Sequence, residues 1–285
     1  MWISFTVLGP VHYLTQMSWL YDRSFFFREP AAKRIFLPAA AGAAALYVYA
    51  ALDPATLRLS ACAMLTVFLL PAFLGTPKKY TVGVGFAAAT GLLLCTSPAV
   101  ALFCAVFLPT VIHVGLFTLL FVLTGALRSG SAASYISAAC WLACAFALFL
   151  FPPPEHVIAA AWAKPPRAFW DGLAGALGFL AGKPLSAIYP FLTFAYTYHF
   201  LNWFSKTELL KWHQIPVKRH MAIGAGFIAA IAACLYDYRF GYMAVLLPLS
   251  IMHVVLEFPL DVQVITGLPA AARAARAKAR GGPAR

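Results

Sequence analysis

The stretch Phe194–His213, FAYTYHFLNWFSKTELLKWH, decides how the rest of the chain is read: an apolar helical run carries one imidazole, His199, and turns charged at Lys206. A polar group held in hydrocarbon costs free energy unless it is paired. A histidine about two turns inside such a run therefore marks either a tie between helices or a functional site. Asn202 follows one turn after His199, and the segment 205–220 reads as a short amphipathic surface helix ending at Ile215-Pro216. His213 and His220 read as surface histidines.

The remainder of the chain has the same character. Its 285 residues are 62% hydrophobic and only 11% charged, with a mean hydropathy of +0.81, whereas soluble domains carry roughly a quarter charged residues. Apolar runs of about 20 residues call for helices, because barrel strands would be about 10 residues of alternating character. Nine such segments can be drawn, at 1–21, 35–52, 57–74, 80–97, 99–124, 132–151, 184–204, 221–236 and 241–260. The expected fold is all-α: a polytopic integral membrane bundle of nine transmembrane helices, within a range of 8–10. Only Ser97-Pro98 separates the fourth segment from the fifth, so a tight hairpin or one broken element is expected there.

Nine spans make the connections alternate between two sides, and 16 of the 21 Lys and Arg then fall on one side. That bias predicts an outside N-terminus and a cytoplasmic C-terminus, and localisation in a bacterial inner (plasma) membrane. No basic residue precedes the apolar run of Met1–Tyr21, so the first segment is expected to stay as a helix. Residues 1–265 then form a single transmembrane domain and 266–285 a basic tail. Loop 152–183 is expected outside, with a re-entrant or interfacial piece near Trp170–Gly182.

The net charge of +12 lies in the connections and in the tail, GLPAAARAARAKARGGPAR, which has five basic residues and no acid. The tail reads as a disordered or surface-lying anchor, its partners anionic lipid headgroups. Nucleic acid is not expected, because aromatic residues do not interleave the basic ones. All six cysteines fall inside apolar runs without a CxxC pair and read as small hydrophobes.

Four histidines lie in four different segments: His12 in VHYLTQ, His113 in VIHVGLF, His199 in TYHFLNWF and His253 in IMHVVLEF. At 1.5 Å per residue from the flanking charges Asp22, Lys206 and Asp261, three of them sit about 10–15 Å deep, with His113 several ångström deeper. Neutral imidazole is a ligand for iron, zinc and copper, and its second nitrogen needs a hydrogen-bond partner. Gln16, Asn202 and Glu257 follow His12, His199 and His253 by one turn and are the candidate partners. Glu257 could instead act directly, as a catalytic carboxylate or ligand. Tyr198, Phe200, Trp203 and Phe117 are the candidate lining of a substrate pocket. A shared metal site, haem ligation, a proton or ion path, and structural pairing all remain open on the residues alone.

Single intramembrane histidines from separate helices, without extramembrane histidine boxes, give the chain a resemblance to the Brp/Blh family of membrane carotenoid-cleaving dioxygenases. The resemblance implies a non-haem iron held by four histidines, here His12, His113, His199 and His253, and oxidative cleavage of a long apolar substrate. The HxxxH and HxxHH boxes of membrane desaturases are missing. The leading expectation is an iron-dependent membrane oxygenase acting on a lipid or isoprenoid. The alternatives are a proton- or ion-coupled transporter, and a non-catalytic or haem-binding subunit of a larger membrane complex.

Overall fold

The computed structural model describes residues 4–74, 80–153, 185–206, 211 and 214–279. The loop expected at 152–183, with its re-entrant piece, and most of the amphipathic segment 205–220 lie outside the described residues. Among the described residues the chain is all-helical, and each of the nine apolar segments falls on helix.

The elements are α1 (Gly9–Asp22), entered through a π-helical turn at Ser4–Leu8, then α2 (Pro30–Leu52), α3 (Leu57–Phe73) and α4 (Tyr80–Leu94). The chain continues as α5 (Pro98–Leu102), a π-helical stretch at Phe103–Phe117, α6 (Thr118–Ser129) and α7 (Ala132–Leu150). It closes with α8 (Leu185–Phe204), α9 (Val217–Tyr236), α10 (Tyr238–Gly241), a π-helical turn at Tyr242–Leu246 and α11 (Leu247–Ala279).

Local chemistry sets the ends. Pro30 and Pro98 sit in the first turns of α2 and α5, where a missing N–H costs nothing. Gly130 ends α6 in the left-handed region at φ 71°, its N–H closing on Ala126 O at 2.8 Å. Asp237 caps α10 by accepting from Phe240 N at 2.7 Å.

Among the described residues four helices are long and apolar enough to cross a membrane: Pro30–Leu52, Phe107–Ser129, Val217–Tyr236 and Tyr238–Lys278. A fifth span results if Tyr80–Leu94 and Ala99–Ala105, bent by 117° at the Ser97-Pro98 break, count as one. The tail departs from expectation. Residues 266–279 continue α11 as helix, because alanine has the best helix propensity and Arg276 and Lys278 oppose the negative C-terminal end of the dipole.

α11 is the centre of the packing and lies against α1, α2, α3 and α6. The core holds Tyr13, Leu20, Phe36, Met64, Phe200 and Phe258, all fully buried. α4 packs closely on α3, where a Cβ on Gly91 would fall 2.5 Å from Thr66 Oγ1 and 2.9 Å from the Cys62 carbonyl. At the rim, Val82, Leu92 and Leu93 of α4, Ile136 and Phe146 of α7, and Ile228 and Leu235 of α9 are exposed, giving the bundle an apolar outer surface. Cys140 and Cys144 share the exposed face of α7 instead of lying in the core.

Candidate metal centre

Four elements each bring one histidine inward: α1 supplies His12, the π-helical stretch before α6 supplies His113, α8 supplies His199 and α11 supplies His253. All four are buried, at 1%, 1%, 8% and 2% exposure. Ring centroids lie 4.7 Å apart for His12–His199, 5.2 Å for His12–His253, 5.0 Å for His113–His199 and 5.3 Å for His113–His253. The greater distance of His113 from its flanking charge does not hold it apart, since its ring meets those of His199 and His253.

Three of the four form a tighter group. Ligand atoms of His12, His199 and His253 all lie within 4.8 Å of one another, with His12 Nε2 and His199 Nε2 3.0 Å apart. His113 turns Nε2 toward Glu257 Oε2 at 3.6 Å. Among the described residues, His12 Nδ1 and both ring nitrogens of His113 have no hydrogen-bond partner. Buried polar atoms in native proteins are nearly always paired, and one ring offers an ion one nitrogen, so these unpaired nitrogens mark imidazoles available as ligands.

The partners differ from those expected one turn along each helix. His199 Nδ1 bonds Thr118 Oγ1 at 2.7 Å, across to α6, and not Asn202, which lines the adjoining cavity. Gln16 Nε2 donates to Glu257 Oε2 rather than to His12. Same-helix spacing puts two side chains on one face, but a buried ring pointing at the bundle axis meets the opposite helix first. Thr118 and its role had no signal in the sequence.

A cavity of about 90 Å³ adjoins the group, lined by His12, His199, Gln16, Glu257 and Lys206 with Trp19 and Trp203 among its walls. Trp203 is held there by donating Nε1 to Thr15 Oγ1 at 3.0 Å, and its ring stands edge-on to His12 at 5.6 Å. Phe200 packs on His12 at 5.1 Å, and Phe117 meets His113 at 6.5 Å. Both support the rings rather than line this cavity. Tyr198 is placed elsewhere: one residue before His199 is about 100° round the helix, and its hydroxyl bonds Ser137 Oγ on α7 at 2.9 Å. Burial holds the Lys206 ammonium below its ordinary value, with the Glu257 charge opposing the shift.

Asp261, which flanks the last apolar segment and reads from the sequence as a surface charge, is fully buried, at 0% exposure, with neither carboxylate oxygen paired among the described residues. The signal was present: His253, Glu257 and Asp261 recur every four residues along one face. At the rim of the same helices, Arg219 of α9 bonds both carboxylate oxygens of Asp22 on α1, at 2.6 and 2.7 Å.

No family model matches the chain, and no curated protein or solved structure is similar to it. Imidazoles from separate helices, with His199 Nδ1 tethered to Thr118 and the Nε2 atoms of His12 and His199 within hydrogen-bond distance of each other, suit a borderline cation such as iron, zinc or copper.

Proposed function

We propose that the protein is an integral-membrane metalloprotein whose ion is held by His12, His199 and His253. We further propose an iron-dependent oxygenase acting on a lipid or isoprenoid, as the resemblance to the Brp/Blh family implies, with nine spans, an outside N-terminus and a cytoplasmic C-terminus. The observation that carries the metal reading is the meeting of three buried imidazoles with ligand atoms within 4.8 Å of one another. Bonds of about 2.0–2.1 Å to one tetrahedral ion place two nitrogens about 3.4 Å apart. The His12–His199 separation of 3.0 Å is close to that.

The chain's own residues prepare the ligands. With Nδ1–H donating to Thr118, His199 presents the Nε2 lone pair toward His12 Nε2. Packing of Phe200 and Trp203 against His12 fixes that ring and keeps bulk water from it. His113 stands beside the ion with Nε2 toward Glu257, which Gln16 holds in place. A non-haem iron bound here would supply open positions for dioxygen chemistry. The 90 Å³ cavity admits small molecules only; a long apolar substrate needs about 300 Å³ or more and would have to enter between helices from the bilayer. The ring packing favours a bare ion over haem, since the four imidazoles touch one another.

A second reading, an ion-coupled transporter, draws on one observation: the buried stripe of Glu257 and Asp261 leading away from the histidines. Metal analysis of protein purified without chelator separates the two. At least one iron per chain, lost in His199→Ala, is expected. Folded wild-type protein free of iron, zinc and copper would rule out the metal reading.

A further inference from the structure

α11 carries His253, Glu257 and Asp261 four residues apart, a single stripe on a helix of 3.6 residues per turn. The three-histidine group uses only the first of them. Beside that group, His113 Nε2 and Glu257 Oε2 are 3.6 Å apart. This is too long for a hydrogen bond and near the ~3.4 Å that separates two donors on one tetrahedral ion. Neither ring nitrogen of His113 has a hydrogen-bond partner among the described residues.

The neighbouring groups ask for positive charge. Among the described residues, Asp261 is fully buried with both oxygens unpaired, and Gln16, which pins Glu257 through Nε2, leaves its own buried Oε1 unpaired. Among the described residues no Lys or Arg forms an ion pair with Glu257 or Asp261. Lys206 shares a cavity with Glu257 without forming an ion pair, and two carboxylates one turn apart inside an apolar bundle need a bound proton or a cation to neutralise them.

We propose a second divalent-cation site next to the first, held by His113 and Glu257, with Asp261 supplying the second negative charge through water. This inference rests on the reading of His12, His199 and His253 as an ion site, since together the two make a dinuclear centre. The new donor set, one neutral imidazole and two carboxylates, carries two negative charges and balances one dication. The three-histidine set brings none. Its oxygen-rich character suits Fe²⁺ or Mn²⁺. Two-metal sites hold their ions about 3.5–4 Å apart, and His113 is within 5.0 and 5.3 Å, centroid to centroid, of His199 and His253.

The test is iron stoichiometry on full-length protein in lipid nanodiscs, loaded anaerobically with Fe²⁺ and dialysed. Two ions per chain are expected in the wild type, falling to one in Glu257→Gln and in Asp261→Asn. One ion in the wild type, unchanged in both variants, overturns the second site and leaves the histidine site standing. No bound iron overturns both. Two ions retained in both variants would place the second ion elsewhere and overturn the assignment. Because a variant that alters buried charge can fail to fold, X-ray absorption of the loaded wild type gives an independent answer. An iron–iron distance of about 3.5–4 Å is expected, and its absence contradicts the proposal.

Discussion

α4 and α11 are both apolar helices, yet they do opposite things. α4 turns Val82, Leu92 and Leu93 outward and meets α3 through small residues, with Gly83, Ala87 and Gly91 buried. α11 is enclosed by four other helices and carries His253, Glu257 and Asp261 on its buried side. In hydrocarbon the usual rule of apolar-in, polar-out inverts at the periphery: leucines face lipid, and the few polar groups collect at the axis where they can meet one another. Overall apolarity identifies a membrane helix, whereas the position of its rare polar residues tells whether it is wall or site.

The comparison is sharpened first at the axis. Thr118→Val keeps the shape of the side chain and removes the tether on His199 Nδ1. Metal affinity, measured by competition with a chelator, should fall about 10–100-fold, as for other hydrogen-bond partners of metal-bound histidines. An unchanged affinity would mean that His199 is not a ligand. At the wall, Leu93→Ala removes an exposed side chain, 70% accessible, that touches lipid alone in this account. Stability in detergent should change by no more than about 0.5 kcal/mol and metal content not at all. A larger loss would show that α4 is covered by another helix or another copy, and that the contrast with α11 is false.

Much of the fold was legible in the sequence because apolar runs of about 20 residues leave few alternatives. The helices at 57–73, 80–94, 132–150 and 185–204 begin and end within a few residues of the apolar segments. The continuation of α11 to Ala279 was not anticipated, since charge suggested a solvated tail while alanine propensity prolongs the helix. The π-helical windings at Ser4–Leu8, Phe103–Phe117 and Tyr242–Leu246 had no sequence signal either; all three occur in the helical runs that carry His12, His113 and His253.

The site was legible in part for a related reason. Single buried histidines stand out in apolar sequence, and His12, His199 and His253 do meet. Partners along a helix follow from spacing, but partners across helices follow from rotation, which sequence does not supply. Thus Thr118 took the place expected for Asn202, Gln16 reached Glu257, and Tyr198 turned to Ser137. Asp261 was misplaced because an acid near a run's end resembles a surface marker, although its four-residue spacing from Glu257 pointed inward.

The most direct measurement is an anomalous-difference map from crystals of the iron-loaded protein, collected at the iron absorption edge. A peak is expected among His12 Nε2, His199 Nε2 and the His253 ring, about 2.0–2.1 Å from each bound nitrogen. A map of the folded, iron-loaded protein with no peak between those three rings, His12 and His199 bonded directly to each other, would contradict the three-histidine ion site.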